Sequence, residues 1–341
     1  MENRQVLFVK HPDGAVTPDC FDFRDGAIPD VAEGEVLVRN IYLSCDPYMR
    51  GQMGERGYSR GPFGLGDPLP ARVVGQVVKS RRNGYTEGDY VWGFLAWELY
   101  TCQQADAALW KIDPSHGPIS YSISVLGMPG LTAYAGMTKY GKTRAGETVF
   151  ISAASGAVGS VAGQLARLAG ARVVGSAGSD AKVAHIEKSL RFNAAFNYRE
   201  TEIGAALDKH CPDGIDVYFD NVGGEILDAV LERLNEGARL AICGQISQYD
   251  VRDGGERYGL RNFANILSKH ATVTGFSVRD NMDMFDNFLT RMATLMKAGD
   301  VVYAEDIVEG IDNAPDAFIR MMQGDNIGKR LVRVGEDHTL G

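Results

Sequence analysis

The feature that most constrains the fold is a turn of small residues between a buried strand and a helix. The apolar run 148–151 predicts the strand, and apolar residues at helical spacing over 158–169 predict the helix. Between them, residues 153–160 read Ala-Ala-Ser-Gly-Ala-Val-Gly-Ser. Such a turn lets the backbone approach a dinucleotide pyrophosphate and points the first N–H groups of the helix at it. A Gly-x-x-Gly turn also serves as a simple tight connection, so the flanking chain has to decide between the two.

From residue 147 onward, apolar strand patterns alternate with helical patterns. We predict strands at 147–153, 172–176, 194–198, 215–221, 239–244 and 271–276, and helices at 156–169, 180–190, 201–210 and 224–234. This alternation predicts an α/β fold with a doubly wound parallel sheet, the Rossmann arrangement, which binds ligands at the carboxyl ends of its strands. The residues expected at those ends are small or hydrogen-bonding: Gly156, Ser176, Tyr198, Asn221, Gly244 and Ser277. Their coincidence favours a nucleotide site over a simple connection.

The chain before residue 126 predicts a different architecture. Short strands at 6–9, 35–41, 73–78 and 89–94, separated by Gly and Pro, favour a compact, partly open β barrel. The tail predicts a helix near 315–323 and a strand at 331–334, and we expect it to rejoin this first domain. The predicted domains are therefore 1–125 with 305–341, which form the mostly β domain, and 126–304, which form the nucleotide-binding domain.

Composition narrows the class of protein. A net charge of −9 argues against a nucleic-acid or anionic-membrane surface, and no stretch approaches the roughly 20 apolar residues of a membrane helix. Five scattered cysteines contain no C-x-x-C pair, which favours a reducing compartment. The first residues lack a secretory-signal pattern. We therefore expect a cytoplasmic protein with a small-molecule partner.

The chain after the second predicted strand indicates which nucleotide binds. NAD sites usually place a carboxylate at the end of this strand, whereas here none occurs before Asp180, which we expect to cap the next helix. Lys182 can supply a cation to a 2′-phosphate, and Tyr198 closes the third strand beside it. The sequence therefore predicts NADP(H), with an exposed helix lysine as the alternative role for Lys182.

The segment 43–70 of the first domain is a second candidate site. Pro47 interrupts a strand within Asp-Pro-Tyr-Met-Arg at 46–50, and 51–70 is rich in Gly and Pro. A loop of this length is often a lid or a binding loop, and Tyr58 and Phe63 are then candidate contacts for apolar substrate tails. The alternative is a solvated connection with no role in binding.

Six stretches of the chain match one family. They lie at 46–50, 127–134 (Gly-Met-Pro-Gly-Leu-Thr-Ala-Tyr), 153–160, 219–224 (Phe-Asp-Asn-Val-Gly-Gly), 243–247 (Cys-Gly-Gln-Ile-Ser) and 324–329 (Gly-Asp-Asn-Ile-Gly-Lys). With them, nearly the whole chain resembles the zinc-independent branch of the medium-chain dehydrogenase/reductase superfamily. This branch contains prostaglandin reductases, alkenal double-bond reductases and curcumin reductases.

The resemblance implies a GroES-like catalytic barrel built from both ends of the chain, NADPH as hydride donor, and a homodimer. The cofactor-binding residues that it implies are Gly156, Ala157, Val158, Gly159, Lys182, Tyr198, Asn221, Cys243, Gly244, Ile246, Ser247, Tyr249, Phe276, Ser277, Val278 and Asn326. The chain departs from zinc-dependent relatives because it has neither their Gly-His-Glu signature nor their four-cysteine lobe. Cys45 lies near a zinc-ligand position without partner ligands, so we expect no metal.

The implied reaction is reduction of the carbon–carbon double bond of an electrophilic alkene, an α,β-unsaturated ketone or aldehyde. Hydride addition at the β-carbon builds negative charge on the carbonyl oxygen, where a neutral tyrosine hydroxyl can donate. Tyr249 is the first candidate and Tyr48 the second; each could instead be a packing tyrosine. The proton for the α-carbon could come from Tyr249 or from water. Alternative functions are a quinone reductase, a non-catalytic NADPH-binding protein, and oxidation of alcohols in the reverse sense.

Overall fold

The computed structural model describes residues 2–57, 61–251 and 255–340. The chain forms two compact units, one made of residues 1–123 with 305–341 and the other of 124–304. Among the described residues, each helix is too short or too polar to cross a membrane.

The elements are named here in chain order. The N-terminal part contains β1 (Glu2–Phe8), β2 (Phe21–Ala27), β3 (Val36–Ser44), α1 (Tyr48–Gln52), β4 (Asp67–Pro68), β5 (Pro70–Ser80), β6 (Tyr90–Ala96), β7 (Tyr100–Gln103) and β8 (Leu109–Lys111). The middle part contains α2 (Met128–Ala135), β9 (Thr148–Ile151), α3 (Gly159–Leu168), β10 (Arg172–Ala177), α4 (Asp180–Lys188), β11 (Ala194–Asn197), α5 (Ile203–His210), β12 (Ile215–Asp220), α6 (Gly224–Leu231), β13 (Leu234–Ile242), α7 (Asn265–Ser268), β14 (Thr272–Gly275) and α8 (Phe285–Lys297). The tail contains β15 (Glu305–Glu309), α9 (Ala314–Met322) and β16 (Lys329–Arg333). Single 3₁₀ turns lie at Pro18–Cys20, Pro114–His116, Ile119–Ile123, Ile246–Gln248, Val278–Met284 and Ile311–Asn313, and a π-helical turn at Gly136–Tyr140.

The first unit is built from two sheets. A three-stranded sheet has the order β2-β1-β4, and a larger sheet has the order β15-β16-β3-β5-β6-β8, with β7 also paired to β3. These pairs are antiparallel except β15 with β16. Because β16 pairs with β3, the C-terminal tail belongs to this unit.

Large aromatic side chains fill the core of the first unit. Trp97 is fully buried, stacks on Phe21 and meets Phe318 edge to face. β3 is buried along almost its whole length, so it lies inside the unit and carries the polypeptide directly to α1. The short α1 therefore starts from a rigid strand, which fixes the position of Tyr48 at its first residue.

The second unit contains six parallel strands in the order β11-β10-β9-β12-β13-β14. In the order of the chain this is 3-2-1-4-5-6, the order of a dinucleotide-binding Rossmann sheet. Strands β9 to β12 are short buried runs, and Phe150 of β9 stacks on Phe196 of β11 and on Tyr218 of β12. The structure confirms the predicted α/β class, with a doubly wound parallel sheet and a separate, mostly β unit.

Some predicted element boundaries were wrong. α3 begins at Gly159 rather than 156, because residues 152–158 form the turn. The N-cap of α4 is Ser179, whose hydroxyl accepts from the Lys182 amide at 3.4 Å, so Asp180 is the first helical residue and not the cap. β13 begins at Leu234, inside a predicted helix, because the Asn-Glu-Gly that follows this buried leucine gives no strand pattern.

Candidate functional site

The turn after β9 contains a residue in the left-handed region. Ala153 has φ of +49°, a conformation that glycine usually adopts. Its carbonyl accepts from the Gly156 amide at 3.1 Å, and the Ala154 amide donates to the Ser176 carbonyl at 2.9 Å. The turn is therefore tight and is anchored to the neighbouring strand β10.

Gly159 starts α3 in direct contact with this turn. A Cβ at position 159 would lie 2.5 Å from the Ala153 carbonyl oxygen and 2.9 Å from the Ala154 Cα, so glycine is required. The N-cap is Val158, whose side chain cannot accept a hydrogen bond. The first N–H groups of a helix need acceptors, and with a valine cap a bound anion can supply them.

The loops after β9 and β12 are hydrogen-bonded to each other. Asn221 donates from Nδ2 to the Ser152 carbonyl at 2.7 Å and from its backbone amide to the Ser152 hydroxyl at 2.9 Å. β9 and β12 are the central pair, where the strand order reverses. In open α/β sheets this switch point is where ligands bind.

A buried carboxylate that the sequence analysis did not single out organises the end of β12. Oδ1 of Asp220 accepts from the Tyr218 hydroxyl at 2.7 Å and from the amides of Val222 and Gly223 at 2.9 and 2.8 Å. Burial raises the pKa of this carboxyl, against the lowering effect of these hydrogen bonds. The position of Asp220 after an apolar strand, before Asn-Val-Gly-Gly, is the sequence signal that could have identified it.

The segment after β13 lies along the loop after β12. The amides of Cys243 and Gly244 donate to the Asp220 carbonyl at 2.8 and 3.0 Å. The Ser247 amide and hydroxyl both donate to the Val222 carbonyl, at 3.2 and 2.6 Å. Burial raises the pKa of the Cys243 thiol to about 12, so this thiol stays protonated and unreactive at neutral pH.

Tyr249 follows the 3₁₀ turn of this segment and is half-buried. Its hydroxyl accepts from the Gln245 amide at 3.4 Å, and it would lie 3.2 Å from a Cβ placed on Gly244. Accepting this bond does not use the hydroxyl proton. The phenol is folded back over the carboxyl end of β13.

A buried asparagine holds the segment after β14. Asn281 is fully buried and donates from Nδ2 to the Ser277 carbonyl at 2.8 Å. Its Oδ1 accepts from Lys139 Nζ at 2.8 Å and from the Tyr140 hydroxyl at 3.1 Å. The Tyr140 ring also stacks on Phe276, with centroids 4.6 Å apart. The π-helical turn that carries Lys139 and Tyr140 thus fixes this strand end.

Polar side chains converge on the glycine after β10. A Cβ on Gly178 would lie 2.9 Å from the Tyr198 hydroxyl and 3.2 Å from Arg199 Nε. Lys182 lies in the first turn of α4, directly after this glycine. Tyr198 thus lies at the end of β11 beside the turn that leads into α4, the pairing of Lys182 with Tyr198 stays a prediction, and Arg199 is an addition that the sequence analysis missed.

The first unit holds Tyr48 next to a buried ion pair. Arg72 lies over the Tyr48 ring, 5.3 Å from its centroid, and also 3.9 Å from Asp46. Asp46 accepts from Lys329 Nζ at 3.2 Å and from the Ser44 hydroxyl at 2.5 Å. Burial by itself would raise the pKa of Asp46, but the charges of Lys329 and Arg72 outweigh it and the pKa is lowered. Tyr48 therefore lies in a cationic setting.

The remaining predicted site residues also belong to the first unit. Phe63 is buried in its core and meets Phe8 edge to face, and Asn326 donates to the Gly328 carbonyl at 2.8 Å. Tyr58 lies outside the described residues. The predicted loop 51–70 is shortened by α1, β4 and the start of β5. Within 2–57, 61–251 and 255–340, no group of three His, Cys, Asp or Glu side chains is placed to hold a metal ion.

The second unit thus brings together the predicted residues of 156–159, 221, 243–249 and 276–278 at the carboxyl edge of one sheet. Gly159 and Gly178 lack a Cβ where one would press on the Ala153 carbonyl oxygen and on the Tyr198 hydroxyl, so the chain packs closely at the two positions where a dinucleotide needs its phosphates near the backbone. These residues fit a dinucleotide. Their individual roles, and those of Tyr48, Phe63 and Asn326, stay predictions.

Comparisons with known proteins define the family. Residues 4–112 match the model of an N-terminal domain of oxidoreductases, and residues 157–294 match the model described as zinc-binding dehydrogenase. The chain is 40% identical to the NADP⁺-dependent 2-alkenal reductase of Nicotiana tabacum, over 99% of both chains. It is 37% identical to the NADPH-dependent curcumin reductase of Escherichia coli, over 98% of both. The crystal structure of CurA from Vibrio vulnificus in complex with NADPH superimposes with a TM-score of 0.92, at 36% identity, covering 98% of this chain and 100% of that one. The chain belongs to the medium-chain dehydrogenase/reductase superfamily, as the sequence motifs predicted.

Proposed function

We propose that this chain reduces the carbon–carbon double bond of α,β-unsaturated ketones and aldehydes with NADPH. The observation that carries the proposal is the hydroxyl-bearing loop at 244–249, held at the carboxyl edge of the Rossmann sheet. Full-length relatives named for 2-alkenal, (+)-pulegone and curcumin reduction support the same substrate class, because all of these substrates are conjugated carbonyl compounds. The chain is an NADP-dependent oxidoreductase, and the double-bond specificity is the proposed part.

The second unit is the proposed NADP(H)-binding domain, and the first unit is the proposed substrate and catalytic domain. We assign the pyrophosphate to the turn formed by Gly156, Ala157, Val158 and Gly159, and the 2′-phosphate to Lys182 and Tyr198. The proposed residues around the rest of the cofactor are Asn221, Cys243, Gly244, Ile246, Ser247, Tyr249, Phe276, Ser277, Val278 and Asn326. Bound NADPH supplies the hydride.

Tyr249 is the proposed donor to the substrate carbonyl oxygen. Tyrosine has a pKa near 10 in water, so a tyrosine hydroxyl is protonated at neutral pH. It can therefore stabilise a developing oxyanion without adding charge to the ground state. The Gln245 amide occupies one acceptor position of the hydroxyl and so restricts its orientation. Tyr48, under the Arg72 guanidinium, is the second proposed donor, since a cation over the ring favours negative charge on the phenol.

The test is NADPH oxidation by the purified protein with 2-alkenals, aryl enones and quinones, followed by product analysis. We expect saturated ketones or aldehydes, and a Tyr249→Phe variant with kcat lowered about tenfold or more, toward the 10²–10³ lost with one oxyanion donor. Tyr258→Phe is a matched control because Tyr258 is exposed and bonds to Asp228. Turnover of quinones alone, or an unchanged kcat in Tyr249→Phe, would contradict the proposal.

We also propose that the protein forms a homodimer through β14. Within the described part of the chain, this strand ends the sheet and pairs on one side with β13. Its Val273 is 43% exposed, and Phe263 and Leu267 before it are 62% and 81% exposed. An apolar sheet edge of this kind suits a second copy of the chain, which could pair with it about a twofold axis. Light scattering should report a dimer, and Val273→Lys should yield monomer; a wild-type monomer would exclude the assignment.

The proposed location is the reducing cytoplasm. All five cysteines are free thiols, and three of them, Cys20, Cys45 and Cys211, are buried. Folded proteins with unpaired buried thiols are typical of reducing compartments. Fractionation of the host cell followed by immunodetection tests this location.

A further inference from the structure

We propose that Arg199 binds the 2′-phosphate of NADPH and sets the preference of this enzyme for NADPH over NADH. The inference rests on the proposed NADP(H) site and adds a residue to it. Its basis is the position of the guanidinium beside Gly178, at the carboxyl end of the second strand of the Rossmann order, where the adenosine ribose binds.

Two side chains from the end of β11 reach the same glycine after β10. The Arg199 Nε and the Tyr198 hydroxyl would lie 3.2 and 2.9 Å from a Cβ on Gly178. A hydroxyl and a guanidinium, the types of donor that bind phosphates, therefore lie against the same glycine. Lys182, in the first turn of α4, brings a second cationic residue to the same strand end.

The backbone around Arg199 is held by specific hydrogen bonds. The Tyr198 amide donates to the Ala177 carbonyl at 3.1 Å, which joins the ends of β10 and β11. The Arg199 amide donates to Asn197 Oδ1 at 3.1 Å, and Asn197 Nδ2 donates to Asp180 at 2.9 Å. The backbone of Arg199 is therefore held in a fixed position.

The same hydrogen bonds also hold Asp180, the nearest acidic residue. Asp180 is the carboxylate that follows β10, where an NAD enzyme would use an acid to hold the ribose hydroxyls. Here the Asp180 carboxylate accepts from the Asn197 amide, the side chain that also orients Arg199. The nearest acid is thus hydrogen-bonded to Asn197 while a guanidinium lies at the same strand end, which favours a phosphomonoester over a free hydroxyl at this position.

Arginine suits this ligand better than lysine does. Its planar guanidinium matches two phosphate oxygens at once, and such charge-assisted pairs are about twice as strong as neutral hydrogen bonds. Arg199 is exposed, so its replacement should leave the fold intact. An effect on the cofactor can therefore be separated from an effect on stability.

The experiment compares wild type with Arg199→Ala, Arg199→Lys and the control Lys188→Ala. Lys188 is an exposed cation in the last turn of the same helix α4, so its removal changes the net charge equally. Two readouts are taken: KM for NADPH and NADH, and inhibition constants for adenosine 2′,5′-bisphosphate and 5′-AMP. The two inhibitors differ by the 2′-phosphate alone.

For Arg199→Ala we expect the KM for NADPH and the inhibition constant for the bisphosphate to rise about tenfold to a hundredfold. The values for NADH and 5′-AMP should stay within about twofold of wild type, the change in KM for NADPH should exceed any change in kcat, and Arg199→Lys should be intermediate. Lys188→Ala should behave as wild type.

The possible failures are distinguishable. If wild type prefers the bisphosphate and Arg199→Ala keeps that preference, the role of Arg199 is overturned while the NADP(H) site stands. Equal losses for both nucleotides in Arg199→Ala would indicate a structural role and also overturn the inference. If wild type neither oxidises NADPH nor distinguishes the two inhibitors, the proposed function fails together with the inference.

Discussion

Replacing Gly159 with alanine should disrupt the turn that carries the proposed pyrophosphate site. The added Cβ would lie 2.5 Å from the Ala153 carbonyl oxygen and 2.9 Å from the Ala154 Cα, and both are backbone atoms that cannot rotate away. Ordinary contact begins near 3.4 Å, so α3 and the turn must separate by about 0.9 Å. Overpacking of this kind costs about 1–3 kcal/mol.

We expect this cost to divide between stability and cofactor affinity, because the atoms that move also present the first N–H groups of α3. If the affinity bears all of it, 1–3 kcal/mol corresponds to a Kd for NADPH about 5- to 150-fold higher. Fluorescence titration with NADPH and thermal unfolding measure the two parts. A variant with the Kd and Tm of wild type would refute the assignment of tight packing at Gly159.

Two glycine controls calibrate the measurement. In Gly156→Ala the new Cβ would lie 3.3 Å from the same Ala153 oxygen, which requires a shift of only a few tenths of an ångström. In Gly259→Ala no described atom lies within 4 Å of the new Cβ. The expected order of damage is therefore Gly159, then Gly156, then Gly259. A different order would show that Cβ contact does not control the effect.

Further predictions concern two buried polar groups. Lys329→Met leaves Asp46 buried without the charge of Lys329 and should lower the free energy of unfolding, measured in urea, by about 3–5 kcal/mol. The double variant that also carries Asp46→Asn should lose less of this free energy. Because the folded pKa of Asp46 is below its usual 3.8, this stability is complete above that value and is lost as the pH falls through the folded pKa. Urea midpoints for wild type should therefore fall on acidification more steeply than those for Asp46→Asn. Asn281→Ala removes the hydrogen bond to the Ser277 carbonyl, so we expect a higher KM for NADPH and a free energy of unfolding lower by about 1–3 kcal/mol. An unchanged KM would show that Asn281 does not support the cofactor site.

Most of the Rossmann sheet could be predicted from sequence because β9, β10, β11 and β12 are buried along nearly their whole length. β9 reads Thr-Val-Phe-Ile and β12 reads Ile-Asp-Val-Tyr-Phe-Asp, and such runs have few other structural interpretations. β13 departs from this pattern because its first half contains polar, exposed residues, so the start of this strand was not predicted. α8 was missed although Phe288 and Met292, its buried residues, have helical spacing.

The site residues that were missed depend on contacts across the fold. Asp220 organises a turn by accepting two amides, and its place between an apolar strand and Asn-Val-Gly-Gly is only a weak local signal of that role. Arg199 is identified by its contact with Gly178, which follows a different strand, β10. Ala153 adopts a glycine-like φ because the turn and the helix start force it, against its own preference. Each case is decided by tertiary structure.

The glycines around the turn explain why the sequence alone could indicate a dinucleotide site. Gly159 packs against the turn, Gly163 of α3 packs against the Phe192 ring between α4 and β11, and Gly175 of β10 packs against the turn residue Ala154. A Cβ on Gly163 would lie 1.8 Å from the Phe192 ring, and one on Gly175 would lie 2.7 Å from the Cβ of Ala154. A turn that merely connects two elements needs no small residues at these deeper positions. They are required when the helix lies close enough to the sheet for its first N–H groups to reach the carboxyl edge, where a pyrophosphate binds. Small residues in register along the strand, the turn and the helix are therefore a better criterion for this class of site than the spacing of two glycines.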